Sequence, residues 1–337
     1  MTFFVVAFLF QSPRVPNTPA SQTIWGQVKR FDPLGTVVFM PAVVCVLLAL
    51  QWGGVTYEWK SGTIIALFVM SGMLLVAFLV IQWRAQDNAT VPPRIIRNRT
   101  IWSCAIYQFC LGAGFFVFVY YVPIWFQAVQ GVSAIESGKR NLPMLIGNIV
   151  GTTVAGALVT AIGQFAPFMI LGTILTSVGG GLLTLLNPTT TTAQWIGYQA
   201  LVGVGIGVGW QQPIVAVQTV LRMEDVPTAT AILSFTQTLG GSLFISVGQT
   251  VFSNKLAQEL AASVPELDPS IVLDSGASNL AGHVPKQYLA AVVQAYSDGL
   301  ARTFIVGAAL AALSVVGSAC VKWKSLKGKN MEAGISA

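Results

Sequence analysis

Residues 201–218 read LVGVGIGVGWQQPIVAVQ, and the interpretation of the whole chain depends on this stretch. Together with its uncharged flanks, it is long and apolar enough to cross a bilayer as an α-helix. Two adjacent amides, Gln211 and Gln212, are followed by Pro213, which cannot donate a backbone hydrogen bond inside a helix. We therefore predict a bend between residues 209 and 213. Four glycines come before the bend: Gly203, Gly205, Gly207 and Gly209.

Two interpretations of these glycines are open, and they are compatible with each other. A glycine-rich, proline-bent helix with amides near the middle of a membrane is typical of a moving element in a transport path. Alternatively, the glycines allow close packing of neighbouring helices, as small residues spaced four apart commonly do in membranes. Under the first interpretation the four glycines and Pro213 form a hinge.

The composition predicts an all-α, polytopic membrane protein. Hydrophobic residues make up 54% of the chain and charged residues only 9%, with a mean hydropathy of +0.70, whereas soluble domains carry about 25% charged residues. The net charge of +6 is spread over separate loops, so we expect no nucleic-acid partner. The four cysteines lie in apolar runs and the single histidine has no partner cluster, so we expect neither a disulfide framework nor a metal site.

Eight predicted spans account for the apolar residues, and they group into a small number of regions. Residues 1–10 are too short to span and look like the end of a spanning helix, and a cytoplasmic loop (11–33) follows. We expect two transmembrane helices in 34–83, a cytoplasmic loop (84–100), six helices in 101–322 with an outer loop at 253–302, and a cytoplasmic tail (323–337). The predicted spans are 34–51, 62–83, 101–126, 142–162, 167–186, 195–220, 229–252 and 303–321.

Most of the 18 lysines and arginines fall in alternate loops, and this pattern predicts that both termini face the cytoplasm. One predicted outer loop, residues 127–141, goes against the pattern because it contains Lys139 and Arg140. The long outer loop is acidic, and the helix-forming residues 285–301 at its end predict a short helix that lies on the outer surface and enters the last span without a break.

Amides inside a membrane usually face other helices or a cavity. Gln211 and Gln237 each lie about 5 Å to the cytoplasmic side of the middle of their spans, at 1.5 Å per residue, which makes Gln237 a candidate partner for the glutamines at the bend. One hypothesis is a cavity that accepts a weakly polar organic molecule. The other is that the amides only fix helix packing through hydrogen bonds. The candidate substrate-binding residues are Gln108, Tyr120, Asn148, Trp210, Gln211, Gln212 and Gln237.

The predicted spans contain no Asp, Glu, His, Lys or Arg well inside them. An intramembrane hydrolase or oxidoreductase needs acid, histidine or metal clusters, so an enzyme is not expected, and no cofactor is implied. A proton-coupled carrier needs a titratable group that is exposed alternately to each side of the membrane. The eight spans therefore do not explain proton coupling by themselves.

Specific motifs carry a resemblance to a known family. Residues 120–143 read YYVPIWFQAVQGVSAIESGKRNLP, and residues 203–256 combine the glycines, QQP, an RMED-P loop and SFTQTLGGSLFISVGQTVFSNKL. The long outer loop ends in VPKQYLAAVVQAYSDGL. Taken together, these segments resemble fungal fourteen-helix drug:proton antiporters of the major facilitator superfamily, which include toxin and secondary-metabolite efflux pumps.

The resemblance implies the identity of each region. Residues 34–83 resemble the two linker helices of fourteen-helix members, and 101–322 resemble the C-terminal six-helix half, while residues 1–10 resemble the end of the sixth helix. The half that would carry the Gly-Asp-Arg-Gly loop and the proton-linked charges has no counterpart in the sequence. The resemblance implies that Gln211, Pro213, Gln237 and the glycines at 203–209 line the path, and it alone implies a proton gradient.

Three functional hypotheses follow. The first is efflux of small hydrophobic drugs, toxins or secondary metabolites by proton-coupled alternating access. In this hypothesis the chain is the C-terminal part of a monomeric carrier in the plasma membrane or, alternatively, the vacuolar membrane. The second is a non-transporting fragment of such a carrier. The third is uptake of siderophores or sugars within the same superfamily, although the charged loop motifs of sugar carriers are not seen.

Overall fold

The computed structural model describes residues 32–54, 56–85, 89, 91–266, 272 and 284–323, and the regular structure in these ranges is helical. The predicted segment 1–10, nearly all of loop 11–33, the tail from residue 324 and residues 267–271 and 273–283 of the predicted outer loop lie outside them. The described helices are α1 (Pro33–Trp52), α2 (Gly62–Ala85), α3 (Pro93–Ile96), α4 (Arg99–Gln130), α5 (Ala134–Arg140), α6 (Leu142–Ile162), α7 (Ala166–Leu183), α8 (Thr192–Trp210), α9 (Gln212–Val220), α10 (Val226–Ser263) and α11 (Lys286–Cys320).

Eight helical segments in the described part are long and apolar enough to cross a membrane. Two of them are joined pairs, because α5 and α6 form the segment Ala134–Ile162 and α8 and α9 form Thr192–Val220. The prediction of an all-α membrane protein with about eight spans is confirmed.

Six of the long helices pack as two groups of three. Helix α4 packs most extensively on α10 and α11, and α8 packs most extensively on α6 and α7. The two groups are joined mainly through the contact of α7 with α11. Three-plus-three helix groups of this kind occur within the six-helix halves of some transporters.

The buried residues form two apolar clusters, one toward each end of the bundle. The cluster around Trp125, Phe126, Leu256 and Tyr296 lies where α4 ends. The cluster around Tyr107, Phe165 and Leu233 lies toward the opposite end, where α4 begins. Between them, the helices of the bundle approach one another through small residues.

Helices α1 and α2 form a hairpin that packs against one side of α10. The ring of Phe39 lies 4.5 Å from that of Phe78 in α2 and 5.2 Å from that of Phe235 in α10. The Thr250 hydroxyl of α10 donates to the Leu50 carbonyl at 3.2 Å. Most of the remaining hairpin surface is apolar and exposed, which suits contact with lipid.

Helices α10 and α11 contain 38 and 35 residues, so both continue well past the predicted spans. The expected short helix at 285–301 is the beginning of α11, and the helix enters the span without a break, as predicted. However, it is not a separate surface helix. Tyr296 packs on Phe252 of α10 with 5.1 Å between ring centres, and this contact keeps the extension of α11 aligned with α10.

Two arginines link helices at the end of the bundle where α4 begins. Arg94 of α3 donates two hydrogen bonds of 2.7 Å to the two carboxylate oxygens of Asp225, which lies just before α10. Arg99 donates through Nε to the carbonyl of Cys320, the last residue of α11, at 2.9 Å. These hydrogen bonds join α3 to the start of α10, and the start of α4 to the end of α11.

Candidate functional site

The helix through residues 192–220 is interrupted at Gln211. Helix α8 ends at Trp210 and α9 begins at Gln212, while Gln211 between them has φ −89° and ψ −14°. Pro213 occupies the first turn of α9, where a missing N–H is best tolerated. The interruption therefore lies inside the interval predicted from Pro213 and the preceding glycines.

The side chain of Gln212 forms a hydrogen bond across the interruption. Its Nε2 donates to the carbonyl of Val208 at 3.0 Å, while its side chain is almost fully buried at 2% exposure. Its Oε1 has no hydrogen-bond partner among the described residues. Gln212 thus stabilises the end of α8 and also leaves one buried acceptor at the break.

The four glycines of α8 lie at close contacts with three other helices. A Cβ atom at Gly203 or Gly207 would collide with the backbone of α6, at the carbonyls of Met144 and Asn148. At Gly205 it would collide with the backbone nitrogen of Thr176 in α7. The structure therefore shows the close-packing role of these glycines, and their role as a hinge stays a prediction.

Tyr107 of α4 occupies the space beside the fourth glycine, Gly209. Its ring is fully buried, and its hydroxyl donates to the carbonyl of Met169 in α7 at 3.1 Å. One side chain therefore links α4, α7 and the last turn of α8. The sequence reasoning missed Tyr107, although a tyrosine next to Gln108 within an apolar span is a signal of a polar contact inside the bundle.

Gln108 and Gln237 form an amide pair between α4 and α10. Gln108 Nε2 donates to Gln237 Oε1 at 3.4 Å, and the two residues are 1% and 9% exposed. The helices meet closely here because Gly112 of α4 has no side chain: a Cβ on it would lie 2.7 Å from Gln237 Cγ. The remaining amide atoms, Gln108 Oε1 and Gln237 Nε2, have no hydrogen-bond partner among the described residues.

The amide pair corrects the expectation that Gln237 is the partner of the glutamines at the bend. Gln237 is turned toward Gln108. Gln211 is exposed, whereas Gln212 of α9 donates to the Val208 carbonyl in α8. The direction in which each amide points depends on helix rotation, which the rise per residue does not give.

The aromatic candidates lie partly on the surface of the bundle. Trp210 makes an edge-to-face contact with Phe115 of α4, with 5.0 Å between ring centres. Tyr120 is 48% exposed and packs edge-on against Tyr121 at 4.9 Å. Phe115 and Trp210 therefore connect α4 with α8 immediately before the break, and Tyr120 lies farther along α4.

Asn148 lies apart from the other amides, at the crossing of α6 and α8. The Thr152 hydroxyl lies 3.2 Å from Asn148 Oδ1 and 3.1 Å from the carbonyl of Gly207. This geometry gives Asn148 a packing contact, and the structure does not bring it to Gln108 or Gln237.

The candidate site is thus made of two parts, the break at Gln211 with Trp210 and Gln212, and the amide pair of Gln108 and Gln237. Both parts offer uncharged donors and acceptors in a largely apolar setting. Among the described residues there is no group of three or more His, Cys, Asp or Glu side chains that could hold a metal ion. Such a site suits recognition of a neutral, weakly polar molecule through hydrogen bonds and ring contacts.

Comparison with known proteins shows that the chain is similar to fungal efflux proteins. It is 59% identical over 334 residues to the aspyridones efflux protein of Neocamarosporium betae, an alignment that covers 99% of this chain and 59% of that protein. It is 49% identical over 312 residues to the MFS-type efflux pump MFS1 of Trichophyton rubrum, covering 93% and 58% of the two chains. It is 45% identical to the efflux pump roqT of Penicillium rubens, covering 97% and 60%. The chain spans about three fifths of the length of these relatives, and the resemblance to fungal efflux pumps is confirmed.

A solved structure agrees with the fold. A bacterial homologue of the human lysosomal transporter Spinster, in an inward-facing and occupied conformation, aligns with a TM-score of 0.50 and 16% identity over 84% of this chain and 65% of that one. At this identity the likeness concerns the fold alone. The model of the Major Facilitator Superfamily matches residues 31–245, which is more than half of the chain. The chain belongs to the Major Facilitator Superfamily.

Proposed function

We propose that the chain forms the substrate-handling part of an efflux carrier for small hydrophobic organic compounds, such as drugs, toxins or secondary metabolites. The observation that carries the proposal is the broken helix α8–α9, which lies in one three-helix group while the amide pair lies in the other. Alternating access requires such groups to move relative to each other around a site. The printed names of the relatives, which are efflux pumps, support the direction of transport.

In this proposal the exposed and partly exposed side chains contact the substrate first. Gln211, Trp210 and Tyr120 are accessible from outside the bundle, and the buried amides Gln108 and Gln237 complete the polar contacts when the helices separate. Gln212 and Asn148 act mainly on helix geometry. A substrate that offers a carbonyl or hydroxyl group would satisfy the free atoms of the amide pair.

The hinge in the proposal consists of Pro213 and the glycines at 203, 205, 207 and 209. Glycine allows backbone conformations that other residues avoid, and Pro213 removes one hydrogen bond from the turn. Helix α9 is then free to change its angle to α8. The proton gradient is the proposed energy source on the basis of family resemblance.

The proposed placement in the cell follows the distribution of lysine and arginine. We place the end that carries Arg94, Arg99 and Asp225 in the cytoplasm, together with both termini. Residues 34–83 are then the linker helices and 101–322 the C-terminal half. The proposed membrane is the plasma membrane, with the vacuolar membrane as the alternative, and the carrier works as a monomer with no enzymatic activity.

A second candidate is that these 337 residues do not transport without a further helical half. The observation in its favour is that the alignment covers only 59% of the length of the Neocamarosporium relative. Expression of the chain alone and of the chain fused behind the N-terminal portion of that relative, in a drug-sensitive yeast, separates the two candidates. Efflux of a fluorescent hydrophobic dye by the fusion alone favours the second candidate, and efflux by both favours the first.

The amide pair provides the test of the site itself. Gln108→Leu or Gln237→Leu leaves the other amide buried without a partner, which costs about 1–3 kcal/mol in stability. The double variant should cost less than the sum of the two single ones. In the transporting form, each single variant should change the substrate range or lower efflux several-fold.

Gln258→Leu is the matched control, because Gln258 is an exposed glutamine of α10 that lies past the predicted span. If the stability effects of Gln108→Leu and Gln237→Leu are additive and efflux of every compound tested is unchanged, the pair has no role in substrate handling.

A further inference from the structure

A cleft of about 430 Å³ opens at the end of the bundle opposite the Arg94–Asp225 pair. It lies between α5, the first turns of α6 and the start of α8. Its walls include Lys139, Arg140, Leu142, Ile146 and Trp195. The cleft is separate from the amide pair and from the break at Gln211.

The rim of the cleft carries an excess of positive charge. Lys139 Nζ lies 3.5 Å from one carboxylate oxygen of Glu136, and Arg140 Nε lies 3.6 Å from the other. Two cations therefore share one carboxylate, and a net positive charge remains. These are the same two basic residues that depart from the charge pattern of the other loops.

The remainder of the cleft is apolar and aromatic. Leu142 and Ile146 are 47% and 55% exposed, on the face of α6 that borders the cleft. Trp195 also lines the cleft, is largely buried, and makes an edge-to-face contact with Phe126 at 5.0 Å. The Arg140 guanidinium lies 5.9 Å from the centre of the same Phe126 ring, so cation and aromatic surface are adjacent.

We propose that this cleft binds a small apolar organic anion, a carboxylate or an enolate attached to a ring or a short hydrocarbon frame. The cations at Lys139 and Arg140 pair with the anionic group, while Leu142, Ile146 and Trp195 contact the apolar frame. The proposal rests on the proposed function in one respect: the anion is the ionised form of the exported compound.

The two sites then favour two protonation states of one weak acid. The uncharged amides of Gln108 and Gln237 suit the neutral acid, because a charge is costly to bury without a partner. The cleft suits the ionised form, because nearby cations lower the pKa of a bound acid. An acid that passes from the amide pair to the cleft gives its proton to water at the cleft, and the cations there disfavour the return of the proton.

Binding of a matched pair of probes tests the cleft. The full chain is placed in nanodiscs of zwitterionic phosphatidylcholine, and equilibrium dialysis measures binding of 1-naphthoate and of its neutral counterpart, 1-naphthamide. We expect naphthoate to bind the native chain and the double variant Lys139→Gln/Arg140→Gln to bind it at least fivefold more weakly. Binding of naphthamide should be the same in both, and salt at 0.5 M should weaken binding of naphthoate alone.

Lys255→Gln/Lys286→Gln is the control, because it removes two positive charges from the same end of the bundle at residues away from the cleft. Leu142→Ser should weaken both probes by reducing apolar contact while leaving their ratio unchanged. Equal naphthoate affinity in the native chain and in Lys139→Gln/Arg140→Gln, or equal affinity of the native chain for the two probes, overturns the proposal. Loss of naphthoate binding when anionic phosphatidylglycerol is added at 10% also overturns it, in favour of a lipid site.

The outcome is independent of the transport assay. Charge-dependent naphthoate binding without efflux by any form of the carrier would leave the cleft in place and remove the proposed function. Efflux without charge-dependent naphthoate binding would leave the proposed function in place and remove the proposed anion site in the cleft.

Discussion

Helix α4 and the segment 192–220 each contain a proline, and of these two only the second is interrupted. Helix α4 continues from Arg99 to Gln130 through Pro123, whereas the segment 192–220 is divided at Gln211, two residues before Pro213. Each proline removes one backbone hydrogen bond. The proline alone therefore does not explain the difference.

The neighbouring side chains explain it. Tyr121, Val122 and Trp125 around Pro123 are fully buried, and the Tyr121 hydroxyl donates to the carbonyl of Ile245 in α10 at 2.8 Å. The turns before Pro213 have glycines in place of such anchors, and the Gln212 amide takes the carbonyl of Val208. The buried anchors around Pro123 and the glycines before Pro213 therefore distinguish these two segments, and this distinction leads to three predictions.

The largest expected effect is at a glycine of α8. Gly207→Ala places a Cβ against the Asn148 carbonyl of α6, and this overpacking should destabilise the bundle by about 3 kcal/mol. Gly197→Ala in the same helix is the control, because nothing lies within 4 Å of its Cβ, and it should stabilise by about 0.5–1 kcal/mol. Unfolding in detergent measures both, and equal stability of the two variants would contradict the close packing of α8 on α6.

The second prediction compares the two prolines directly. Pro213→Ala allows an N–H to bond the Gly209 carbonyl, so α8 and α9 should join and the bundle should gain about 2 kcal/mol of the roughly 3 that an interior proline costs. Amide exchange at residues 209–215 should slow, and efflux by the transporting form should fall several-fold. Pro123→Ala should leave efflux unchanged; a similar loss in both variants would mean that the break at Gln211 has no special role.

The smallest expected effect is at the anchor of α4. Tyr121→Phe removes the hydrogen bond to Ile245 and should cost about 1 kcal/mol in unfolding free energy. Tyr120→Phe, at the exposed neighbouring position, should cost clearly less. If the two variants are equally stable, the hydroxyl of Tyr121 does not hold α4 straight at Pro123.

Much of the architecture follows from patterns among residues that are close together in the chain. Uncharged length predicts the spans, and the glycines with Pro213 predict the interval of the break, because both depend on residues that are close together in the chain. The extensions of α10 and α11 were not predicted as one aligned pair, since the Phe252–Tyr296 contact joins residues far apart in sequence.

The site was less predictable for a physical reason. The rise of 1.5 Å per residue gives the depth of Gln108, Gln211 and Gln237, but each further residue rotates the side chain by about 100°, so small changes in helix rotation change its partner. Hence Gln237 meets Gln108 and not Gln211. The pairing of Arg94 with Asp225 likewise joins two loops whose relative position only the assembled bundle determines.

The lengths of α10 and α11 have a mechanical consequence. At 38 and 35 residues they are about 57 and 52 Å long, against a hydrocarbon core of about 30 Å, so a large part of the pair stands outside the membrane. Because α10 and α11 are packed together beyond the span, they move as one rigid unit. A tilt of only about 5° then moves the tip of α10, about 57 Å long, by about 5 Å. The distance between two spectroscopic labels, one near Gln258 at the tip and one on a loop next to α6, would therefore report conformational steps that are too small to resolve inside the bundle.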